Sequence, residues 1–253
     1  MIVVIFLSLA VVIYSLKLRD QYVVPIVAYS DVRLGSPTSD PRNVALNHFE
    51  SQMAFLRKYK YRVISLDELV SSITTKKTLP RHSVVLTFDD GKANHYQYVF
   101  PILKKYGFPA TIFISPWLVG KKGYLTWEQI KDMEKAGIVF GSHTLNHVYL
   151  PGLSKNKQKH QISVSKKAIE RHLGHAIHHF CYPLGGFTDA IKGFVKDAGY
   201  ASACTANRGY NRFNRDVYAL KRLHFANKNT IPFLLWLKLS GYYHFFEKPV
   251  SPN

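Results

Sequence analysis

The chain has 253 residues, of which 47% are hydrophobic and 20% are charged, and it contains two cysteines. This length and apolar content are typical of a folded domain with a large core, and they exclude a disordered chain and a disulfide-rich scaffold. The 34 Lys and Arg residues against 16 Asp and Glu give a net charge of +18. Such a charge predicts a polyanionic neighbour, which on composition alone is nucleic acid, an anionic membrane surface or an acidic glycan envelope.

An uncharged, apolar run occupies residues 2–16 and is followed by Lys17 and Arg19. At about 1.5 Å per residue a helix over this run reaches roughly 22 Å, short of a ~30 Å hydrocarbon core, and a snorkelling Lys17 extends it. The basic stretch and the small-x-small site of a cleaved signal peptide are both missing from it. We therefore expect residues 1–20 to form an uncleaved signal-anchor in the membrane. A cleaved signal peptide and a buried first strand or helix are the alternatives.

Beyond residue 20, β-branched runs alternate with amphipathic helical patterns, starting with a strand at 23–29 and a loop at 34–43. Further strands are predicted at 62–65, 82–88, 110–115, 138–142, 179–182, 200–205 and 218–225. Helices are predicted around 49–56 and at 65–73, 98–106, 126–136, 154–173, 188–198 and 231–239, and capping boxes open those that start at Ser65 and Thr126. This alternation predicts an α/β fold with a mostly parallel sheet, either a barrel of βα units or a doubly wound open sheet.

Polar clusters follow three of the predicted strands. Asp89 and Asp90 come after one, His143 and His147 after another, and a Pro/Gly turn at 183–185 after a third. In a barrel of βα units these strand ends share one face, where active sites lie. We therefore expect the three clusters to converge on one site.

The two aspartates and two histidines are the residue types of a metal-dependent hydrolase. Adjacent strand residues point to opposite faces, so Asp89 and Asp90 share a site only if the strand breaks, which Gly91 permits. In a helical turn His143 and His147 lie roughly 5–6 Å apart, within reach of one metal. One carboxylate and two histidines make a three-ligand metal site, and the second carboxylate can serve as a general base.

The turn at 183–185 can present backbone N–H groups to a developing oxyanion, which completes a site for hydrolysis of an amide or ester. Taken singly, each segment also fits a simpler interpretation. Asp-Asp-Gly is a common turn composition, the two histidines belong to a chain that holds twelve, and Pro-Leu-Gly forms ordinary turns. The hypothesis depends on the three segments acting together.

Three strings, TFDDG at 87–91, SHTLNH at 142–147 and YPLGG at 182–186, resemble the NodB-homology polysaccharide deacetylases, carbohydrate esterase family 4. The flanking strings FPILKKYGFPATIFI at 100–114 and VKDAGY at 195–200 agree, and the resemblance covers roughly residues 23–240. Residues 50–69 resemble the branch that contains the biofilm poly-N-acetylglucosamine deacetylases. The resemblance implies a distorted, TIM-like (β/α) barrel of about seven strands, with residues 21–253 as the catalytic domain.

The resemblance also implies a reaction, in which N-acetyl groups are removed from N-acetylglucosamine-type units of an envelope polysaccharide or glycolipid and acetate is released. Carried over to this chain, it makes Asp89 the general base and Asp90, His143 and His147 the ligands of one divalent metal. Zinc is the usual metal, with cobalt or nickel as alternatives. The residues implied to hold the substrate or the oxyanion are Tyr182, Pro183, Leu184, whose N–H is the implied donor, and Gly185.

The chain departs from the family pattern at a few positions. Cys181 stands where many members carry an arginine that pairs with the catalytic aspartate, and Arg222 is a candidate to orient Asp89 instead. Ser30 stands where the branch usually has a histidine. His224 is the candidate general acid, and a surface or barrel-wall histidine is the alternative. These departures leave a catalytically silent, glycan-binding family member as the second hypothesis.

The expected partners are an N-acetylated glycan and the membrane, through the N-terminal segment. Nucleic acid is not expected, because no recognised nucleic-acid motif accompanies the basic residues. Envelope glycans lie outside the cytoplasm, so we expect the catalytic domain there, although Lys17 and Arg19 by themselves favour a cytoplasmic body. Secretion after signal cleavage is the alternative. The apolar run at 232–239 is interpreted as the last core helix or as an interfacial helix.

Overall fold

The computed structural model describes residues 22–35, 43–206, 214–227 and 230–243, so the predicted membrane segment at 1–20 lies outside the described residues. Its strands are β1 (Ile26–Tyr29), β2 (Asp31–Arg33), β3 (Asn43–Ala45), β4 (Arg62–Ile64), β5 (Ser83–Phe88), β6 (Ala110–Ile114), β7 (Ile138–Ser142), β8 (His179–Cys181), β9 (Ser202–Thr205), β10 (Leu220–Lys221) and β11 (Leu223–His224). Its α-helices are α1 (Leu46–Lys58), α2 (Leu66–Thr75), α3 (Phe100–Tyr106), α4 (Trp127–Lys135), α5 (Lys155–Leu173), α6 (Asp189–Asp197) and α7 (Pro232–Leu239).

The main sheet is parallel and nearly closes into a barrel. Its order runs from β10 through β9, β8, β7, β6, β5 and β1 to β11, and β2 and β3 form a separate pair. β10 and β11 are successive pieces of one segment, so the two edges of the sheet meet across Arg222. The predicted barrel is thus confirmed, and the doubly wound open sheet is not the fold of this chain.

Two irregularities distort the barrel. Val85 in β5 is aligned with both Ile26 and Ile64, whereas two residues later Thr87 is aligned with Thr111. Thus β4 covers the first half of β5 and β6 covers the second half. The single strand predicted at 218–225 is divided as well, because Leu220–Lys221 pairs with β9 and Leu223–His224 pairs with β1.

The barrel interior is a small apolar cluster, distinct from the larger core between the sheet and the helices. The inner cluster contains Ile26, Val85, Phe113 and Cys181. The apolar residues directly before and after these four in the chain belong mainly to the outer core. This alternation is the period of two expected of strands with two buried faces. The inner face of β5 continues through Thr87 to Asp89, which places that carboxylate at the barrel's end.

Of the two predicted capping boxes, the one at Thr126 forms completely and the one at Ser65 forms its first hydrogen bond only. Thr126 and Gln129 form the reciprocal capping box, and Ser65 accepts a hydrogen bond from the Glu68 N–H. The helix predicted at 98–106 differs, because a π-helical turn (His95–Val99) precedes α3. Among the residues that the structure describes, no helix combines the length and hydropathy needed to cross a membrane.

Candidate active site

The two aspartates reach the same cleft because the backbone turns sharply after β5. Asp90 has φ 72° and Gly91 has φ 62°, so the chain leaves the extended conformation at Asp90 itself. A Cβ at Gly91 would lie 2.6 Å from Ile114 Cγ2, so the turn also needs the missing side chain. A non-glycine residue at positive φ is uncommon, and its occurrence at Asp90 is consistent with strain held at a functional site.

Asp90, His143 and His147 form a cluster whose ligand atoms all lie within 4.8 Å of one another. Asp90 Oδ1 is 3.1 Å from His147 Nε2 and 3.7 Å from His143 Nε2. Burial opposes ionisation of Asp90, but the hydrogen bond from His147 and the positive charge of neighbouring groups outweigh it and lower the carboxyl pKa well below its usual value. The carboxylate is therefore ionised and available as a ligand.

His143 is oriented from its other ring nitrogen. The ring is buried, and Nδ1 lies 2.8 Å from the Cys181 carbonyl oxygen. A carbonyl only accepts hydrogen bonds, so Nδ1 carries the proton and the Nε2 lone pair faces Asp90. Burial lowers the pKa of His143, which keeps the imidazole neutral. A neutral imidazole held through Nδ1 is the usual form of a metal-binding histidine.

The segment between the two histidines is not the predicted helical turn. Thr144 has φ 64° and His147 has φ 60°, both in the left-handed region. Gln161 on α5 holds this loop, since its Oε1 accepts from Leu145 N at 3.0 Å and Asn146 N at 3.4 Å. The two imidazole centroids are 4.9 Å apart. The two imidazoles are thus about as close as a helical turn would place them, although the backbone between them is not helical.

Arg222 binds Asp89 through two parallel hydrogen bonds. Nη1 donates to Oδ1 at 2.7 Å and Nη2 donates to Oδ2 at 2.8 Å. Burial alone would raise the pKa of Asp89, but the guanidinium outweighs burial and lowers it. The contact expected from the sequence, in which Arg222 replaces the arginine that Cys181 displaces, is therefore present. Asp89 is ionised and fixed in direction, as a proton acceptor must be.

A second group of potential ligands, formed by Asp89, His143 and Cys181, is less suited to a metal. Burial raises the pKa of the Cys181 thiol well above its usual value, and a thiol binds a metal ion as the thiolate. Asp89 is also engaged by Arg222 on both oxygens. The Asp90 group is therefore the better metal site.

The turn after β8 places Leu184 at the surface. Leu184 has φ 55° and its side chain is 63% exposed, whereas Pro183 and Gly185 are buried. Tyr182 is fully buried, and its hydroxyl donates to the Tyr218 carbonyl at 3.0 Å. The Tyr182 ring is therefore held inside the fold, and its N–H donates to the Cys204 carbonyl at 3.0 Å. The predicted contact of Tyr182 with substrate is not supported by these positions. The N–H of Leu184 as oxyanion donor stays a prediction.

His224 lies on β11 in register with Ala28, and its side chain is partly buried. Two residues after Ala28, Ser30 donates to Asp90 Oδ2 at 3.5 Å, so β11 ends at the same edge of the barrel as the aspartates. The assignment of His224 as general acid stays a prediction.

Four aromatic residues close in sequence to the site segments are candidates to stack on sugar rings, and the structure separates them into two groups. Trp117 and Tyr149 are 62% and 41% exposed. Trp117 N donates to the Leu145 carbonyl beside the ligand loop. Phe187 is buried, and Trp127 stacks on His172 with a centroid distance of 3.9 Å. Of these four, Trp117 and Tyr149 are therefore the two exposed to a ligand, and the Lys121 ammonium lies over one face of the Trp117 ring, 4.4 Å from its centroid.

Three further residues support the site, and the sequence analysis singled out only Ser30 among them, as a departure from the family pattern. Thr87 accepts from Arg222 Nη1 at 3.1 Å, Gln161 holds the ligand loop, and Ser30 bonds Asp90. Inward alternation along β5 can identify Thr87, but the other two depend on which loops meet. His178 and His179, adjacent in the sequence, are predicted from the sequence to be surface histidines without a role, and this is wrong for His179. His179 is fully buried, with Nδ1 2.9 Å from Ser202 Oγ and Nε2 3.1 Å from Asp67 Oδ1.

A carboxylate–imidazole cluster beside an ionised aspartate, at the carboxyl ends of a parallel barrel, defines the class as a metal-dependent hydrolase. The family profile "Polysaccharide deacetylase" matches residues 76–203, just over half of the chain. The chain is also 32% identical over 199 residues to the protein YxkH of Bacillus subtilis (strain 168), covering 79% of this chain and 70% of that one. It therefore belongs to the polysaccharide deacetylase family.

Other relatives agree with this assignment. The poly-β-1,6-N-acetyl-D-glucosamine N-deacetylase of Staphylococcus aureus (strain MSSA476) is 29% identical over 174 residues, which cover 62% of this chain and 59% of that protein. The structure of the Streptococcus pyogenes deacetylase PplD in complex with acetate matches with a TM-score of 0.79, 26% identity and coverage of 85% of this chain and 97% of that one. IcaB from Ammonifex degensii shares the fold, with a TM-score of 0.76 and 23% identity over 86% and 97%.

Proposed function

We propose that this protein removes N-acetyl groups from N-acetylglucosamine-type units of a cell-envelope glycan and releases acetate. The observation that carries the proposal is the arrangement at the barrel's end, where three potential metal ligands lie beside an aspartate that Arg222 holds ionised. Membership of the polysaccharide deacetylase family supports the same reaction.

The residues present fit one divalent cation. Asp90 offers a carboxylate oxygen, His143 offers an Nε2 whose lone pair is set by the Cys181 carbonyl, and His147 offers a second Nε2. Two imidazoles and one carboxylate are a ligand set that zinc uses in catalytic sites, and cobalt and nickel accept the same donors. Such a cation polarises a carbonyl and lowers the pKa of water toward 7.

The chain's own residues supply the proton transfers and the positioning. Asp89 accepts a proton from the attacking water, and Arg222 keeps its two oxygens in a fixed direction for that step. The N–H of Leu184 stabilises the negative charge that develops on the former carbonyl oxygen. His224 donates the proton that the departing amine needs. The products are acetate and the free amine of a glucosamine unit.

The substrate class rests on the exposed rim of the site and on the relatives. Trp117 and Tyr149 present exposed aromatic faces, which suit the apolar faces of sugar rings. The similar S. aureus protein is named for poly-β-1,6-N-acetyl-D-glucosamine, and the similar S. pyogenes structure holds acetate, the product of the proposed reaction. We therefore place poly-N-acetylglucosamine first among the candidate glycans, ahead of peptidoglycan, chitin oligosaccharides and lipid-linked amino sugars.

Membrane attachment through residues 1–20, with the catalytic domain outside the cytoplasm, is part of the same proposal. Its support is the uncharged, apolar run at 2–16 and the location of envelope glycans. A reporter fused after residue 253 and assayed on both sides of the membrane tests the orientation. Activity of the reporter on the cytoplasmic side would contradict it.

The reaction is tested by measuring acetate release from a panel of the four glycans with added Zn²⁺, Co²⁺ or Ni²⁺. We expect release from at least one N-acetylglucosamine polymer, its loss on chelation and its recovery when metal is restored. Binding of several glycans by metal-loaded protein with no acetate released from any of them would instead favour the silent, glycan-binding family member.

A further inference from the structure

The helix α7 carries the largest run of exposed apolar side chains in the described part of the chain. Phe233 and Trp236 are 65% and 51% exposed, and their rings lie 6.1 Å apart. Ile231 and Leu234 are 56% and 36% exposed. Leu235 and Leu239 are buried against the core and fix the helix in place. An apolar face held rigidly toward solvent is typical of a contact surface.

This face lies next to the point where the N-terminal segment joins the domain. Val23 N donates to the Gly241 carbonyl at 2.9 Å, and the Tyr22 ring packs against Tyr242 with centroids 5.9 Å apart. A cavity of about 320 Å³ is lined by both Tyr22 and Trp236. The start of the domain and α7 therefore occupy one region of the surface.

The short connection between the apolar run and Tyr22 limits how far this region can lie from a membrane that the run enters. Leu16 is the last residue of the apolar run, and the intervening residues up to Tyr22 span about 20 Å at full extension. If the run enters a bilayer, the surface of that bilayer lies within this distance of Tyr22, and hence close to α7. The tether is too short to keep the exposed apolar face far from lipid.

The charge near the face suits anionic lipid. Residues 217–246 contain no Asp or Glu. Lys238 of α7 is not counted toward this face, because its ammonium donates to the His224 carbonyl at 3.2 Å. Arg81 is exposed and lines the same cavity as Trp236. Aromatic and aliphatic side chains flanked by Lys and Arg are the composition of helices that lie in the interface of a membrane. The net charge of +18, which the reaction of a neutral acetamide does not require, favours such a surface too.

We propose that α7 is a second membrane contact, which lies in the headgroup region of an anionic bilayer and holds the barrel against the surface beside its anchor. The proposal rests on the membrane segment proposed for residues 1–20. A second copy of the chain is a poorer occupant, because four side chains on one helix provide far less than the roughly 800 Å² per partner of a stable protein interface.

Two tryptophans in the same chain provide a matched test. One variant, Trp117→Phe/Trp127→Phe, keeps only Trp236, and another, Trp127→Phe/Trp236→Phe, keeps only Trp117, which is at least as exposed. Each full-length chain is reconstituted into phosphatidylcholine–phosphatidylglycerol vesicles whose acyl chains are brominated near the headgroup. We expect the lipid to quench Trp236 emission about twofold or more and to leave Trp117 nearly unchanged. Adding Phe233→Ser should reduce the quenching of Trp236, whereas Leu34→Ser, at a residue that is 64% exposed, should not.

Equal quenching of both tryptophans, or none at Trp236, would overturn the proposal. So would Trp236 emission that is blue-shifted and insensitive to brominated lipid, because residues 1–20 or a second copy would then cover the helix. Acetate release from a soluble oligomer, measured with the Phe233→Ser chain in detergent, reports the proposed reaction separately. Its absence would contradict the enzymatic proposal and leave the comparison of the two tryptophans intact.

Discussion

Arg222 is the residue whose removal gives the sharpest test of the site's construction. Its side chain is 1% exposed, and the Asp89 side chain that it binds is 13% exposed. It also donates to Thr87 Oγ1 and Cys181 Sγ, both at 3.1 Å. The change Arg222→Met keeps the length of the side chain and removes every one of these donors. It leaves the Asp89 carboxylate buried without a counter-charge.

The structure allows the size of the effect to be worked out. Removing one partner of a buried, hydrogen-bonded ion pair costs about 3–5 kcal/mol, because the remaining charge keeps its desolvation penalty. At roughly 2–4 °C per kcal/mol, the melting temperature should fall by about 10 °C. The double variant Asp89→Asn/Arg222→Met removes both charges. We expect its loss of unfolding free energy to be smaller than the sum of the two single losses by about 2 kcal/mol or more.

The pH dependence of activity gives a second measure of the same contact. With Arg222 present, the pKa of Asp89 is lower in the folded protein than in the unfolded chain. The ionised Asp89 therefore stabilises the fold fully above its unfolded pKa, and this stabilisation is lost as pH falls through its folded pKa. Without the guanidinium, burial is the largest remaining influence on that pKa, and burial raises it. The acidic limb of kcat/KM should therefore move to higher pH in Arg222→Met.

The assay is thermal and denaturant unfolding of the wild-type chain, both single variants and the double variant at neutral pH, with acetate release measured across pH. Effects of the two single substitutions that add within about 0.5 kcal/mol would refute the reasoning, because independent sites behave that way. An unchanged acidic limb in Arg222→Met would refute the part concerning Asp89.

Two further predictions concern the ligands and the rim. His143→Gln should reduce the bound metal at least about tenfold, measured by elemental analysis of purified protein. Cys181→Ser should retain the metal, because His143 bonds the Cys181 carbonyl and not its thiol. Loss of metal in Cys181→Ser would instead favour the group formed by Asp89, His143 and Cys181 as the metal site. A Cβ at Gly186 would lie 2.2 Å from the Tyr149 ring. Gly186→Ala should therefore displace Tyr149 and raise KM for glycan oligomers, with the metal content unchanged. Gly193→Ala is the control, because a Cβ there meets open space, and it should leave KM as it is. Equal KM values for Gly186→Ala and the wild-type protein would contradict the prediction.

The alternation of strands and helices was sufficient to predict an α/β fold with a mostly parallel sheet, and the family resemblance favoured the barrel over the doubly wound open sheet. The central strands β1, β5 and β6 are short, largely apolar runs that are buried on both faces. Thr126 and Ser65 mark helix starts through local hydrogen bonds. The convergence of Asp89 with the two histidines followed from the rule that parallel strands end on one face. These features depend on local pattern and on topology, which a single sequence carries.

The backbone of the site could not be predicted in the same way. The positive φ values of Asp90, Thr144 and His147 are imposed by tertiary contacts, such as the hydrogen bonds from the ligand loop to Gln161. The division of the last strand at Arg222 depends on the two edges of the barrel meeting there. Residue type predicted which groups would act, and only the closed fold determined how they are oriented.

Asp89→Asn provides the most direct test of the proposed reaction. Asparagine keeps the shape of the side chain and removes the charge that accepts the proton, while Asp90, His143 and His147 remain as ligands. Acetate release from N-acetylglucosamine oligomers should be compared for wild-type and variant protein at equal metal content. We expect a loss of about 100-fold or more, the range of a general base. An equal rate of release from both proteins would contradict the assignment of Asp89 as the base.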